Sequence, residues 1–154
     1  MLQRLTGLLL GLLFTTCSFA AMVPPLSNID AFKVIMIEGE DMPMALGLSL
    51  EDLSLAAIVD NVLEPVPFQI AQYNIGGAVY FKGWEVPLAG DIKLLDATDK
   101  LLFLFKDAGT RRRPADVYDG DILAEIMLKD TAGFERYVYL VKGSRLRSDE
   151  QYVR

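Results

Sequence analysis

Six aspartates and three consecutive arginines are the side chains best placed to do chemistry. Asp91, Asp96 and Asp99 fall within "DIKLLDATD", Asp116, Asp119 and Asp121 within "DVYDGD", and Arg111, Arg112 and Arg113 stand between the two groups. Carboxylates clustered in a turn suit Ca²⁺, which takes six to eight oxygens. Neither segment has the alternating D-x-D-x-D-G of a dedicated calcium loop, so the competing reading is a turn whose aspartates cap local N–H groups. Guanidinium forks bind carboxylates and phosphates bidentately. The arginine run is therefore a candidate clamp for an anionic sugar, a phosphate or an acidic partner, or a solvated loop balancing its aspartate neighbours. If both acidic turns lie at one end of the fold, the arginines are expected to neutralise that rim in place of Ca²⁺. Trp84, with Tyr73, Tyr80 and Phe81 near Gly76-Gly77, would suit stacking on a sugar ring if exposed, and core filling if not.

What is missing narrows the chemistry further. The 154 residues include no histidine, and the single cysteine is Cys17, within the first twenty. Histidine-based triads, Cys-His nucleophiles and histidine-ligated zinc are excluded. Carboxylates, lysines and tyrosines remain. Pairs of acids at glycosidase-like separations of roughly 5–9.5 Å are too easily imagined to count. The reading is a protein without a catalytic motif.

The N-terminal "MLQRLTGLLLGLLFTTCSFA" has one charge, Arg4, a short apolar run from Leu5 to Phe14, and small residues at Ser18 and Ala20. That is a secretory signal peptide with cleavage expected after Ala20. The run falls short of the roughly 20 residues of a spanning helix. An uncleaved anchor is the alternative, since no charge lies between Arg4 and Asp30. Removal of residues 1–20 leaves 134 residues, and loss of Arg4 takes the net charge from −6 to −7. That length suits one β-rich domain, residues 21–154. The acidic balance argues against nucleic acid and anionic membrane surfaces as partners. A protein or a carbohydrate fits better, in the periplasm or outside the cell.

These side chains must be positioned by short strands. "AFKVIMI" reads as a first strand, and "SLEDLSLAAIVDN" as one helical turn capped by Ser49 and followed by a strand, although helical spacing also fits it. Asp60-Asn61 makes a two-residue turn into "VLEPVPFQI", where Pro65 and Pro67 indicate a sheet edge. Leu101 to Phe105 form an unbroken apolar row, expected to be a central strand dry on both faces. The final hairpin places Ile122, Ala124, Ile126 and Leu128 on one face, turns at Gly133, and returns through "FERYVYLVKG" with Tyr137 and Tyr139 opposite Val138 and Leu140. The expected class is all-β, an antiparallel β-sandwich or open barrel. The tail "SRLRSDEQYVR" stops as another strand begins, which suggests the N-terminal piece of a longer protein, with a frayed polar tail as the alternative.

The segments "EPVPFQIAQYN", "LDATDKLLFLFKDAG" and "RYVYLVKG" together resemble a group of exported bacterial β-sandwich proteins. Their pattern has a P-[VI]-P-F-Q-[IV]-D strand, an acidic turn, a strand ending in D-A-G, and an aromatic Y-V-Y-L-V strand. The resemblance spans Leu53 to Gly143 and implies a fold without an assigned activity. Where that pattern has Asp this chain has Ala71, so any role of the missing carboxylate would pass to a neighbour such as Gln72. The function expected is that of an exported binding or structural domain. The alternative is an accessory domain of a carbohydrate-active protein whose catalytic part lies beyond residue 154.

Overall fold

The computed structural model describes residues 25–83, 85–113, 119–150 and 152. Asn28–Ala31 forms one turn of helix (α1), and seven strands follow: β1 Val34–Glu38, β2 Leu53–Val59, β3 Val62–Pro65, β4 Gln69–Ala71, β5 Lys100–Leu104, β6 Asp121–Lys129 and β7 Glu135–Lys142. They make two antiparallel sheets, one of three strands in the order β1-β5-β4 and one of four in the order β3-β2-β7-β6. The described chain is therefore all-β and sandwich-like. Leu53, Leu55, Ala57, Val138 and Leu140 of the larger sheet share one apolar cluster with Leu101 and Phe103 of the smaller.

Local signals set most of these elements. Ser49 Oγ accepts a hydrogen bond from the Glu51 N–H at 3.3 Å, Leu50–Asp52 makes a single 3-10 turn, and the strand begins at Leu53. The cap thus closes one residue earlier than a Ser49–Asp52 box would. Asp60 and Asn61 both have positive φ, 49° and 65°, as a type I′ hairpin turn requires. β3 lies at the sheet edge and ends at Pro65. In the last hairpin Tyr137, Tyr139 and Val141 form a second cluster with Ile58 on the face away from the main core.

Two expectations are corrected. The strand dry on both faces is β2, where every residue from Leu53 to Ile58 is buried. β5 instead alternates: Leu101 and Phe103 are buried, while Leu102 and Leu104 are half-buried on the outer face of the three-stranded sheet. Central position in a three-stranded sheet does not cover the second face. A β-bulge between Ile122 and Ala124 also breaks the period of β6. Leu123 joins Ala124, Ile126 and Leu128 against the main core, and Ile122 turns to the tyrosine side.

The two sheets are joined by the chain that leaves β5. Phe105–Asp107 makes a 3-10 turn, and Gly109-Thr110 then enters the larger sheet. β2 and β7 pair only from Leu53↔Lys142 to Ala56↔Tyr139. Beyond that point Gly109 exchanges hydrogen bonds with Tyr137 at 3.0 and 2.9 Å, and the Thr110 N–H donates to the Ile58 carbonyl at 2.8 Å. A second tie holds the start of the described chain. The Asp30 carboxylate accepts from the Thr131 hydroxyl at 2.7 Å and its amide at 3.2 Å, so α1 sits on the β6–β7 turn. Those bonds, Thr131 first, hold the Asp30 carboxyl below the usual range.

Phe103 is 1% exposed and sits in the shared core. Phe103→Ala should destabilise the protein by about 3–5 kcal/mol in urea unfolding. A loss below about 1 kcal/mol would show a site far looser than a buried ring requires.

Candidate functional site

The first acidic turn feeds β5 and is built around backbone. Asp91 Oδ1 accepts from the Lys93 N–H at 2.9 Å, and Asp96 Oδ1 from the Thr98 N–H and hydroxyl at 2.8 and 2.7 Å. Asp99 Oδ2 accepts from the Asp96 N–H at 3.0 Å. The same turn receives the end of β1, because the Gly39 N–H donates to the Asp99 carbonyl at 2.7 Å and the Glu40 N–H to that of Ala97 at 3.1 Å. A Cβ on Gly39 would lie 1.9 Å from the Asp96 carbonyl oxygen, so only glycine allows this approach. Gln72, beside Ala71, donates its side-chain amide to the Asp91 carbonyl at 3.1 Å and ties β4 to the turn.

Asp99 is fully buried, with the Gln72 side chain and the Tyr73 backbone N–H also turned toward its carboxylate, and Asp96 Oδ2 has no hydrogen-bond partner among the described residues. Burial pushes the Asp99 carboxyl up, the Asp96 amide pulls it back, and the Asp96 carboxylate adds to the rise. Next to it, Lys100 lies 3.1 Å from Glu38 and 5.0 Å from the centre of the Tyr73 ring. Tyr73 is thus engaged with β5. The loop beyond it turns on Asn74, whose Oδ1 accepts from the Gly76 and Ala78 amides at 2.9 and 3.0 Å.

The second acidic group is distributed differently. Asp119 Oδ2 accepts from the Arg145 N–H at 3.0 Å, and Asp121 opens β6 in register with Lys142. Asp116 and Trp84 lie outside the described residues, as does the whole stretch 1–24. Among the described residues no three carboxylates converge as a metal-holding group. Arg111 turns to Glu125 of β6, with Nη2 to Oε1 at 2.9 Å, and stacks 5.4 Å from the Tyr137 ring centre. The Arg112 N–H donates to the Tyr139 hydroxyl at 2.6 Å. The expected pairing of Arg111 with the aspartate rim is therefore replaced by pairing across the outer face of the larger sheet. Arg113 continues the same loop as an exposed residue.

Sequence reading missed a cleft of about 420 Å³ beside β2 and β3, lined by Glu64, Pro65, Lys106, Asp107 and Glu150 among others. Tyr152 lies in the tail here. Its hydroxyl sits between the Pro67 carbonyl, at 2.9 Å, and the Asp107 carboxylate. Burial, partly offset by that hydroxyl, raises the Asp107 carboxyl. Burial and then the Asp107 bond raise Tyr152. The one signal for this contact was the aromatic residue near the end of a polar tail.

No protein-family model matches the chain, and no curated protein or solved structure matches it. Among the described residues no helix is long and apolar enough to cross a membrane.

The buried Asp99 gives a test with a definite sign. Its carboxyl is raised in the folded protein, so stability falls as pH rises from the unfolded value through the folded one. Asparagine imitates the protonated acid and avoids that loss. Asp99→Asn should raise the melting temperature at pH 7, and the gain should vanish once the pH falls below about 4. Ca²⁺ and EDTA should leave both melts unchanged. A lower melting temperature for Asp99→Asn at pH 7, with calcium stabilising only the parent, would make the turn an ion site.

Proposed function

We propose that this protein is an exported β-sandwich domain that docks polypeptide and does not catalyse a reaction. Export rests on the charged start, apolar run and small residues of the first twenty positions. The docking reading is carried by one observation, the outer face of the three-stranded sheet. Val34 and Met36 of β1 are 58% and 54% exposed there, in register with half-buried Leu104 and Leu102 of β5. Apolar side chains that line up across adjacent strands and face solvent are more typical of an interaction surface than singly scattered ones. The acidic and basic candidates support this assignment in a different way: Asp91, Asp96, Asp99 and Asp119 each accept from a backbone N–H, and Arg111 pairs with Glu125.

Two measurements test it. N-terminal sequencing of the exported product should begin within about two residues of Ala21; an intact Met1 in the membrane fraction contradicts cleavage after Ala20. A photoreactive side chain placed at position 36, in the exporting cells, should form polypeptide adducts, whereas one at exposed position 127 on β6 should not. Equal labelling at the two positions, or none at 36, contradicts the docking surface.

A further inference from the structure

We propose that the β1 edge bordering this surface takes a second copy of this chain, paired antiparallel along β1 with Met36 on the two-fold axis. The inference rests on the docking reading above. The two sheets have four edge strands, β1, β4, β3 and β6. β3 ends in Pro65, β6 carries a bulge together with Asp121, Glu125 and Lys129, and β4 is three residues long. Those are the usual protections against edge-to-edge pairing. β1 has no proline, no bulge and one charge, Glu38 at its last position.

The hydrogen-bond phase of β1 fixes how it can pair. The Phe105 N–H donates to the Lys33 carbonyl at 2.9 Å, and the Gly39 N–H to the Asp99 carbonyl at 2.7 Å. Antiparallel ladders alternate, so Lys33, Ile35, Ile37 and Gly39 face β5, while the N–H and C=O groups of Val34, Met36 and Glu38 point away from it. A second β1 in the register Val34↔Glu38′, Met36↔Met36′, Glu38↔Val34′ would satisfy all of those groups at once. The apolar side chains stay on one face, and the three-stranded sheets merge into one of six. Charge agrees with this register. The two Glu38 side chains stay at opposite ends, and Lys33 comes opposite Gly39′ on the other face of the strand. A parallel arrangement would instead bring the acidic ends together.

A five-residue strand pair is smaller than a standard interface of about 1,600 Å², so the dimer should be weak and concentration-dependent. Sedimentation equilibrium of the exported, processed protein from about 1 μM to about 1 mM should show the mass rising from one chain toward two. Met36→Lys and Met36→Glu each place like charges opposite one another on the axis and should weaken association at least about tenfold. An equimolar mixture of the two variants should restore it, because an ammonium then faces a carboxylate across the axis. Met36 is solvent-facing, so both variants should melt close to the parent. Met127→Lys, on the β6 edge, should leave association unchanged. A monomer at every concentration, or a mixture no tighter than either variant alone, overturns the self-pairing. If position 36 still cross-links to a different polypeptide, the docking reading stands without it. If it cross-links to nothing, both fall.

Discussion

The constraint on which the rest depends is the insertion of Gly109 between β2 and β7. A Cβ on Gly109 would lie 2.0 Å from the Ile58 carbonyl oxygen and 2.7 Å from its carbon. Gly109 is not among the residues with positive φ, so its requirement is space rather than backbone freedom. The insertion lets one chain serve both sheets. Phe103 packs in the shared core, Phe105 and Ala108 are buried immediately after it, and two residues later Thr110 is bonded to Ile58. It also explains why the arginine run lies where it does. A chain that emerges between β2 and β7 must cross the tyrosine face, which brings Arg111 to Glu125 and Tyr137.

At the other end, the acidic turn makes the matching connection between β1 and β5. Its carboxylates organise backbone, and its carbonyls receive Gly39 and Glu40. Asp99 is the costly member, because a carboxylate taken out of water resists ionisation. The turn thus trades electrostatic cost for a fixed end to the smaller sheet. With both ends of β5 anchored, β1 is held as a straight edge whose outward hydrogen-bonding groups are in phase for another strand.

Elements governed by local chemistry were legible in the sequence. The Asp60-Asn61 turn, the Ser49 cap, the proline-marked edge and the two faces of Tyr137–Leu140 each follow from neighbouring residues. What could not be read depended on distant partners. Leu102 and Leu104 look as buried as Leu101 until one knows that the sheet has a single covered face. Nothing local distinguishes the bulge at Leu123 from regular alternation. Arg111 could not be assigned to Glu125 rather than to the closer aspartates without knowing that the chain crosses the larger sheet. That β1 is an edge strand among the described residues is likewise a property of strand order, not of "VIMIE". Of the candidate site residues, Asp91, Asp96 and Asp99 accept hydrogen bonds from N–H groups two or three residues away. The burial of Asp99, in contrast, comes from packing against segments far away in the chain.

The most direct test of this account is the stability of Gly109→Ala, with amide exchange at Thr110 and Tyr137. The added methyl meets backbone on β2, which cannot yield as a flexible side chain would. Urea unfolding should show a loss of at least about 3 kcal/mol, at the upper end of ordinary overpacking. The Thr110 and Tyr137 amides should lose protection before those of the β6–β7 ladder. A loss under about 1 kcal/mol with both amides still protected would contradict the insertion as the junction of the two sheets.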